Sequence, residues 1–183
     1  MKQTILRYLP NIITGLRLLA VPPVAVLLWI GEYKVALVVF ALAGVSDGVD
    51  GYLARRFNWK SHWGAIMDPL ADKLLLVTTA AVLTLKGLLP VWLFVLVMGR
   101  DVMLVGGAAL YRLWFGPFEV QPSVLGKMST FVQILLVLSL LVHIGTGLMS
   151  DEQIQYMILM CAAVTVVSGV HYLFIWVRKA INE

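Results

Sequence analysis

Charged residues are scarce in this chain. Only 13% of its 183 residues are Asp, Glu, Lys or Arg, whereas 61% are hydrophobic, and the mean hydropathy is +0.91. Soluble domains carry about 25% charged residues. A water-soluble fold could not bury this much apolar surface, so the composition excludes that class and predicts a protein whose solvent is lipid.

Cysteine is nearly absent, and the excess of basic charge is small. The single Cys161 excludes an internal disulfide and is expected to serve packing. The net charge of +4 favours contact with anionic lipid over nucleic acid, so no nucleic-acid partner is expected. Residues 1–10 lack the pattern of a removable signal peptide.

Six long apolar stretches are present instead. Backbone groups in lipid must bond internally, so each stretch is predicted to be a transmembrane helix of about 20 residues. Before them, residues 1–11 mix apolar and basic side chains and are interpreted as an interfacial amphipathic segment. The chain is therefore predicted to be an all-α, polytopic membrane protein forming a single domain over residues 1–183, because the connections are short. The predicted spans are 12–30, 33–54, 64–86, 91–113, 125–149 and 154–177.

The basic residues near the span ends are unevenly shared between the two membrane faces. Only Lys34 and Lys86 fall on the second face, beside the acidic residues Glu32, Asp151 and Glu152. Basic residues accumulate on the cytoplasmic side, so we expect a multi-pass protein of the cell (inner, cytoplasmic) membrane with both termini inside. The first face carries Lys2, Arg7, Arg55, Arg56, Lys60, Arg112, Lys127, Arg178 and Lys179.

Four aspartates lie inside the second and third spans. Each costs about 2.5–3.5 kcal/mol near the centre of a membrane helix, so they need a common partner. Asp47 and Asp50 share one helix face by their spacing, as do Asp68 and Asp72. The loop 55–63 joins the two spans as an antiparallel hairpin, which brings both pairs to the cytoplasmic end. An oxygen-rich cage for Mg²⁺ or Mn²⁺ is predicted there.

The residues beside these aspartates are small or basic. Gly51, Ala54 and Gly64 would let a bulky ligand approach the backbone closely. Arg55 ends the second span and can neutralise a phosphate. Metals, a basic residue and small residues together predict a site for a diphosphate.

This segment has a distinctive spacing. It reads DGVDGYLAR from Asp47 to Arg55, then eight residues, Gly64, three residues, Asp68, three residues and Asp72. It resembles the signature of the CDP-alcohol phosphatidyltransferase family at every fixed position. The similarity extends over most of the chain, from Pro10 and Asn11, with Arg17, to the region of Gly126 and Lys127.

The resemblance implies a fold and a reaction in phospholipid biosynthesis. Members have six transmembrane helices, usually as a homodimer, with the active site at the cytoplasmic surface. CDP-diacylglycerol would donate its phosphatidyl group to an alcohol, with release of CMP. Asp72 would be the catalytic base for the acceptor hydroxyl. The four aspartates would hold a pair of divalent ions, and CDP would be bordered by Asp47, Gly51, Ala54, Arg55 and Gly64.

Further charges inside the fourth and fifth spans are candidates for binding the acceptor. Lys127 and Arg100, with Arg112, suit a phosphate-bearing acceptor. For Arg100 and Asp101 an ion pair that holds helices together is an equal alternative.

The choice of acceptor depends on finer similarities. The runs 41–44, 68–73 and 100–104 look most like eukaryotic-type cardiolipin synthases, and they are also similar to phosphatidylglycerophosphate synthases. The latter typically carry a second basic residue at the position of Ser129. Its loss favours phosphatidylglycerol, with a singly charged phosphate, over glycerol 3-phosphate as acceptor.

Two other classes compete with the enzyme. A divalent-cation transporter would also use intramembrane carboxylates. Here they cluster at one end, and no pair of interrupted helices occurs in matching halves. A purely structural membrane scaffold gives no reason for four costly aspartates.

Overall fold

Six helices account for the described structure. The computed structural model describes residues 9–57, 62–115 and 124–182, with side chains described within 14–46, 67–107 and 124–175. These three ranges are helical apart from short turns and contain no strand, so the all-α prediction is confirmed. The helices are α1 Leu9–Ile30, α2 Tyr33–Phe57, α3 His62–Leu85, α4 Val91–Phe115, α5 Val124–Thr146 and α6 Asp151–Asn182.

The helices begin and end close to the predicted spans because the apolar runs are bounded by turn residues. Gly31 and Gly87 follow α1 and α3 with φ of +89° and +72°, a left-handed conformation that glycine adopts without strain. The predicted interfacial segment 1–11 lies mostly outside the described residues, and its last three residues belong to α1.

The start of α6 differs from the prediction by three residues. The Ser150 hydroxyl accepts a hydrogen bond from the Gln153 backbone N–H at 3.3 Å, and the Gln153 side-chain oxygen accepts one from the Ser150 N–H at 2.9 Å. This reciprocal cap satisfies two free backbone donors and lets polar Asp151 and Glu152 form the first turn.

The first helix is central to the arrangement of the first three. α1 packs extensively against both α2 and α3, whereas α2 and α3 contact each other little in the described part. The predicted hairpin of α2 and α3 is therefore supported by α1. Further along the chain, α5 packs against α2 and α6, and α4 packs against α6.

Contacts at the helix ends define two ends of the bundle. Lys86 donates to the Trp29 carbonyl at 2.6 Å, and its ammonium lies 5.6 Å from the centre of the Tyr33 ring. Close approach of Gly145 to the Lys34 backbone brings the end of α5 to the same place. Lys34 and Lys86 thus share one end, as predicted, and the early turns of α3 lie at the other.

Apolar side chains lie both inside and outside the bundle. The core includes Val24, Leu28, Phe40, Leu75, Leu83, Leu136, Leu140 and Leu141. Large outward-facing side chains such as Leu19, Val45, Val102, Phe131 and Phe174 are 61–71% exposed. Such an apolar exterior is typical of a protein surrounded by lipid.

Within the part of the chain that the structure describes, two helices are long and apolar enough to cross a membrane by length and composition. They are α5 over Val124–Thr146 and α6 over Asp151–Ile175, which supports association with a membrane. The apolar parts of α1 and α2 are shorter, Thr14–Ile30 and Tyr33–Ser46. The predicted number of six spans therefore stays a prediction.

Candidate active site

Asp68 and Asp72 lie one turn apart on α3 and face α1. The Thr14 hydroxyl donates a hydrogen bond to Asp68 Oδ1, and Arg17 Nη1 lies 2.8 Å from Asp72 Oδ1. The three-residue and four-residue spacings put each pair on one helix face. Thr14 precedes Arg17 on α1 as Asp68 precedes Asp72 on α3, so the two helices run parallel. One face of α1 therefore contacts both carboxylates.

Arg17 also connects these two helices to α2. Its Nε donates to the Ala43 carbonyl at 3.4 Å, and the Ser46 hydroxyl donates to the same carbonyl at 2.7 Å. The Arg17 side chain is 0% exposed, whereas that of Asp72 is 40% exposed. A buried guanidinium needs a counter-charge, and Asp72 supplies it while remaining accessible from outside.

The other two predicted metal ligands lie on α2. Asp47 is one helical turn beyond Ala43, and Asp50 follows it. The side chains of both residues lie outside the described part, so the predicted convergence of four carboxylates stays a prediction. Among the side chains that the structure describes, no group of three or more His, Cys, Asp or Glu residues could hold a metal ion.

The described half of the proposed cage fits a hard divalent cation. Asp68 and Asp72 present carboxylate oxygens one turn apart, and oxygen is the ligand that Mg²⁺ and Mn²⁺ prefer. The predicted CDP-binding residues Gly51, Ala54 and Arg55 fall in the last turns of α2, and Gly64 in the first turn of α3; their surroundings lie outside the described side chains.

A second polar cluster lies among α4 and α6. Arg100 Nη1 is 2.9 Å from Asp101 Oδ1, and Arg100 Nη2 donates to the Ser168 hydroxyl at 2.6 Å. The guanidinium carbon lies 5.8 Å from the centre of the Tyr172 ring, a cation–π contact. Of the two alternatives for Arg100 and Asp101, the structure contains the ion pair, and acceptor binding by Arg100 stays a prediction.

Lys73 joins this cluster from α3. Its ammonium forms an ion pair with Asp101 Oδ2 and donates to Gln133 Oε1 on α5 at 3.4 Å. Gln133 in turn donates to the buried Ser129 hydroxyl at 3.2 Å. Lys73 therefore points away from Asp72 and ties α3 to α4 and α5.

The remaining acceptor candidates lie at the start of α5 and the end of α4. Lys127 is exposed, at the end of the bundle that carries Asp68 and Asp72. Its neighbour Gly126 packs so closely that an added Cβ would lie 2.8 Å from the Tyr172 hydroxyl. Arg112 lies on α4, with its side chain outside the described part.

Thr14 and Arg17 were not predicted as site residues. The sequence carried one signal for Arg17, because a charge inside an apolar span marks a functional candidate by default. Nothing comparable marked Thr14, since a threonine in an apolar helix is ordinary.

Comparison with known proteins gives a match over most of the chain. The family model described as CDP-alcohol phosphatidyltransferase matches residues 7–168. The rat "Cardiolipin synthase (CMP-forming)" is 35% identical over 145 residues, which cover 70% of this chain and 48% of that protein. A "CDP-diacylglycerol--glycerol-3-phosphate 3-phosphatidyltransferase" of Bacillus subtilis is 31% identical over 181 residues, which cover 90% of this chain and 92% of that protein.

The extent of these matches differs between relatives. A Schizosaccharomyces pombe "Cardiolipin synthase (CMP-forming) / mitochondrial hydrolase fusion protein" is 36% identical over 143 residues, which are 24% of its length. The chain thus spans about half of the rat protein and about a quarter of the yeast fusion protein, but nearly all of the bacterial one.

Proposed function

Because the chain belongs to the CDP-alcohol phosphatidyltransferase family, we propose that it transfers the phosphatidyl group of CDP-diacylglycerol to an alcohol and releases CMP. The observation that carries this proposal is the pair Asp68 and Asp72. Both lie on one face of α3, held by Thr14 and Arg17 of α1, within the segment that matches the family model. A scaffold would not need these carboxylates, and Asp72 stays accessible although its partner is buried.

The roles follow the residues of the motif. Asp47, Asp50, Asp68 and Asp72 would hold the divalent ions, Mg²⁺ or Mn²⁺. Such ions, when bound, supply charge stabilisation to phosphoryl oxygens and to the leaving CMP. Asp47, Gly51, Ala54, Arg55 and Gly64 would border the CDP group, where the Arg55 guanidinium neutralises phosphate charge.

Direct transfer is the simplest chemistry for this set of side chains. The acceptor hydroxyl oxygen attacks the phosphorus of the phosphatidyl group, the new oxygen–phosphorus bond forms, and the bond to CMP breaks. The hydroxyl proton passes to Asp72, whose 40% exposed carboxylate can be reached by an acceptor. Ser46, which precedes Asp47, donates its hydroxyl to the Ala43 carbonyl, and the described side chains place no base beside it, which argues against Ser46 as a covalent nucleophile.

Phosphatidylglycerol is the acceptor we favour, which makes cardiolipin the product. Where phosphatidylglycerophosphate synthases typically carry a further basic residue, Ser129 is buried and bonded to Gln133. Less positive charge suits a lipid phosphate with one negative charge. Glycerol 3-phosphate is the alternative, since relatives named for both reactions match the chain.

The proposed setting is the cytoplasmic membrane. All six helices would span it as one domain over residues 1–183, with the termini and the aspartates facing the cytoplasm. Support comes from the two apolar helices, the exposed apolar side chains and the separation of Lys34 and Lys86 from Asp68 and Asp72. A homodimer is proposed from the resemblance to the family.

One assay tests the proposal. Purified protein in lipid nanodiscs receives CDP-diacylglycerol, Mg²⁺ or Mn²⁺, and either phosphatidylglycerol or glycerol 3-phosphate, and products are identified by mass spectrometry. We expect CMP and cardiolipin, and loss of both in Asp68→Asn. Phosphatidylglycerophosphate without cardiolipin would reverse the choice of acceptor. Metal flux through reconstituted vesicles without CMP release from any acceptor would refute the transferase and favour a transporter.

A further inference from the structure

We propose that Arg17 and Thr14 of α1 are positioning residues for the metal-binding carboxylates. Arg17 would hold Asp72, and Thr14 would hold Asp68, in the orientation that binds the ions. The inference rests on the proposed function, because it assigns the metals to these aspartates. It adds a third helix, α1, to a site that the sequence motif confines to α2 and α3.

Burial rules out direct contact between Arg17 and a substrate. Its side chain is 0% exposed, so Arg17 acts through the groups it touches. Nη1 contacts the Asp72 carboxylate, and Nε donates to the Ala43 carbonyl on α2, one turn before Asp47. A single planar guanidinium therefore fixes the carboxylate of α3 relative to the helix that carries the other pair of aspartates.

Arginine suits this task better than lysine would. The guanidinium is planar and rigid, so its Nη1 can form an ion pair with Asp72 on α3 while its Nε donates to α2. A lysine ammonium on a flexible stem would keep the positive charge but lose the fixed geometry. Arg17→Lys thus separates positioning from charge.

Thr14 makes the equivalent contact with the other carboxylate. It is buried, with 5% exposure, and its hydroxyl donates to Asp68 Oδ1. Because a carboxylate has two oxygens, a hydrogen bond to one fixes the group while the other can meet an ion. Partners that orient metal ligands in this way typically change metal affinity or activity by about 10–100-fold when removed.

A merely structural role predicts a different pattern. If the ion pair only holds α1 against α3, its loss lowers the unfolding temperature of the protein, and the folded fraction binds metal and turns over as before. Positioning predicts weaker metal binding and a lower kcat in the folded protein. These two readouts therefore separate the alternatives.

The test compares Arg17→Lys, Arg17→Gln, Thr14→Val and Thr14→Ser with the wild type and with Thr79→Val. Thr79 is a matched control, because it is fully buried and its hydroxyl donates to the Leu75 carbonyl of its own helix. For each protein, the rise of the unfolding temperature with Mn²⁺ concentration is measured without substrate. The kcat and the KM for CDP-diacylglycerol are measured separately by CMP release.

We expect Arg17→Gln, Arg17→Lys and Thr14→Val to need about 10–100 times more Mn²⁺ for half-maximal stabilisation. Their kcat should fall more than their KM rises. Thr14→Ser should restore the wild-type response, and Thr79→Val should keep it. Wild-type Mn²⁺ dependence and kcat in Thr14→Val, and in whichever Arg17 variant folds, would overturn the inference.

Failure of the inference can be told from failure of the proposed function. If the wild type releases CMP and the variants do so equally well, the positioning inference is refuted, whereas the proposed transferase function stands. If the wild type releases no CMP, the Mn²⁺ titrations still decide whether Arg17 and Thr14 orient the metal ligands, because they use no substrate.

Discussion

Arg17 Nη1 lies 2.8 Å from Asp72 Oδ1, and this contact joins a fully buried cation to a carboxylate that is 40% exposed. The two ends of the pair therefore have different needs. Arg17 requires a negative partner because it is surrounded by protein. Asp72 can instead interact with solvent, bind a metal ion or accept a proton from a substrate. The packing of α1 thus depends on a carboxylate of the candidate site, and the position of that carboxylate depends on α1.

The pair predicts that stability and activity respond differently to substitution. Asp72→Asn should abolish CMP release, since the amide cannot accept the hydroxyl proton, and should also destabilise the protein by about 1–3 kcal/mol, because Arg17 then faces a neutral amide in place of the Asp72 carboxylate. The double variant Arg17→Gln with Asp72→Asn should regain much of that stability without regaining activity. Thermal unfolding and CMP release measure the two effects. A double variant less stable than Asp72→Asn would contradict the account of the pair.

Asp101 has two cationic partners, Arg100 and Lys73, inside the bundle. Asp101→Asn should leave both without their carboxylate, so we expect a loss of about 3–5 kcal/mol in the free energy of unfolding. The control is Asp151→Asn, because Asp151 also forms an ion pair, with His143 at 3.2 Å, but its side chain is 96% exposed. Exposed pairs contribute about 0–1 kcal/mol. Equal effects of the two substitutions in denaturant unfolding would show that the buried cluster is not a structural element.

Close packing at Gly126 gives a third prediction. Gly126→Ala would place a methyl group 2.8 Å from the Tyr172 hydroxyl and 3.3 Å from Arg100 Nη2. Overpacking of this kind costs about 1–3 kcal/mol. Gly99→Ala, on α4 with no atom within 4 Å of the new methyl group, should instead be neutral or stabilising, because alanine favours helix. Unfolding temperatures compare the two, and Tyr172→Phe combined with Gly126→Ala should recover part of the loss.

The helices were predictable and their contacts were not. Apolar runs bounded by Gly31 and Gly87 give the helix ends, and the reciprocal cap of Ser150 and Gln153 explains why α6 begins earlier than its apolar run. Spacing along the chain also put Asp68 and Asp72 on one face. By contrast, the pairing of these carboxylates with α1 is a contact between residues 54 and 55 positions apart, and periodicity within one helix carries no information about it.

The same limit applies to the charges in the middle of the bundle. The sequence left Arg100 and Asp101 open between an ion pair and acceptor binding, because neighbouring positions point about 100° apart and their partners depend on packing. Ser168, in the middle of α6, lies 68 positions away in the sequence and accepts a hydrogen bond from Arg100. The sequence could show that such charges need partners, but the fold decides which partners they find.

Lys127 provides the test of acceptor binding. It is exposed in the first turn of α5, at the end of the bundle that carries Asp68 and Asp72. If it binds the acceptor phosphate, Lys127→Gln should raise the KM for phosphatidylglycerol by roughly tenfold, the effect of losing one charge-assisted hydrogen bond of about 1.5 kcal/mol. The KM for CDP-diacylglycerol should change little. Lys86→Gln is the matched control, because Lys86 lies at the opposite end, where it bonds to the Trp29 carbonyl. A larger KM for CDP-diacylglycerol with an unchanged KM for the acceptor would show that Lys127 binds CDP-diacylglycerol and not the acceptor.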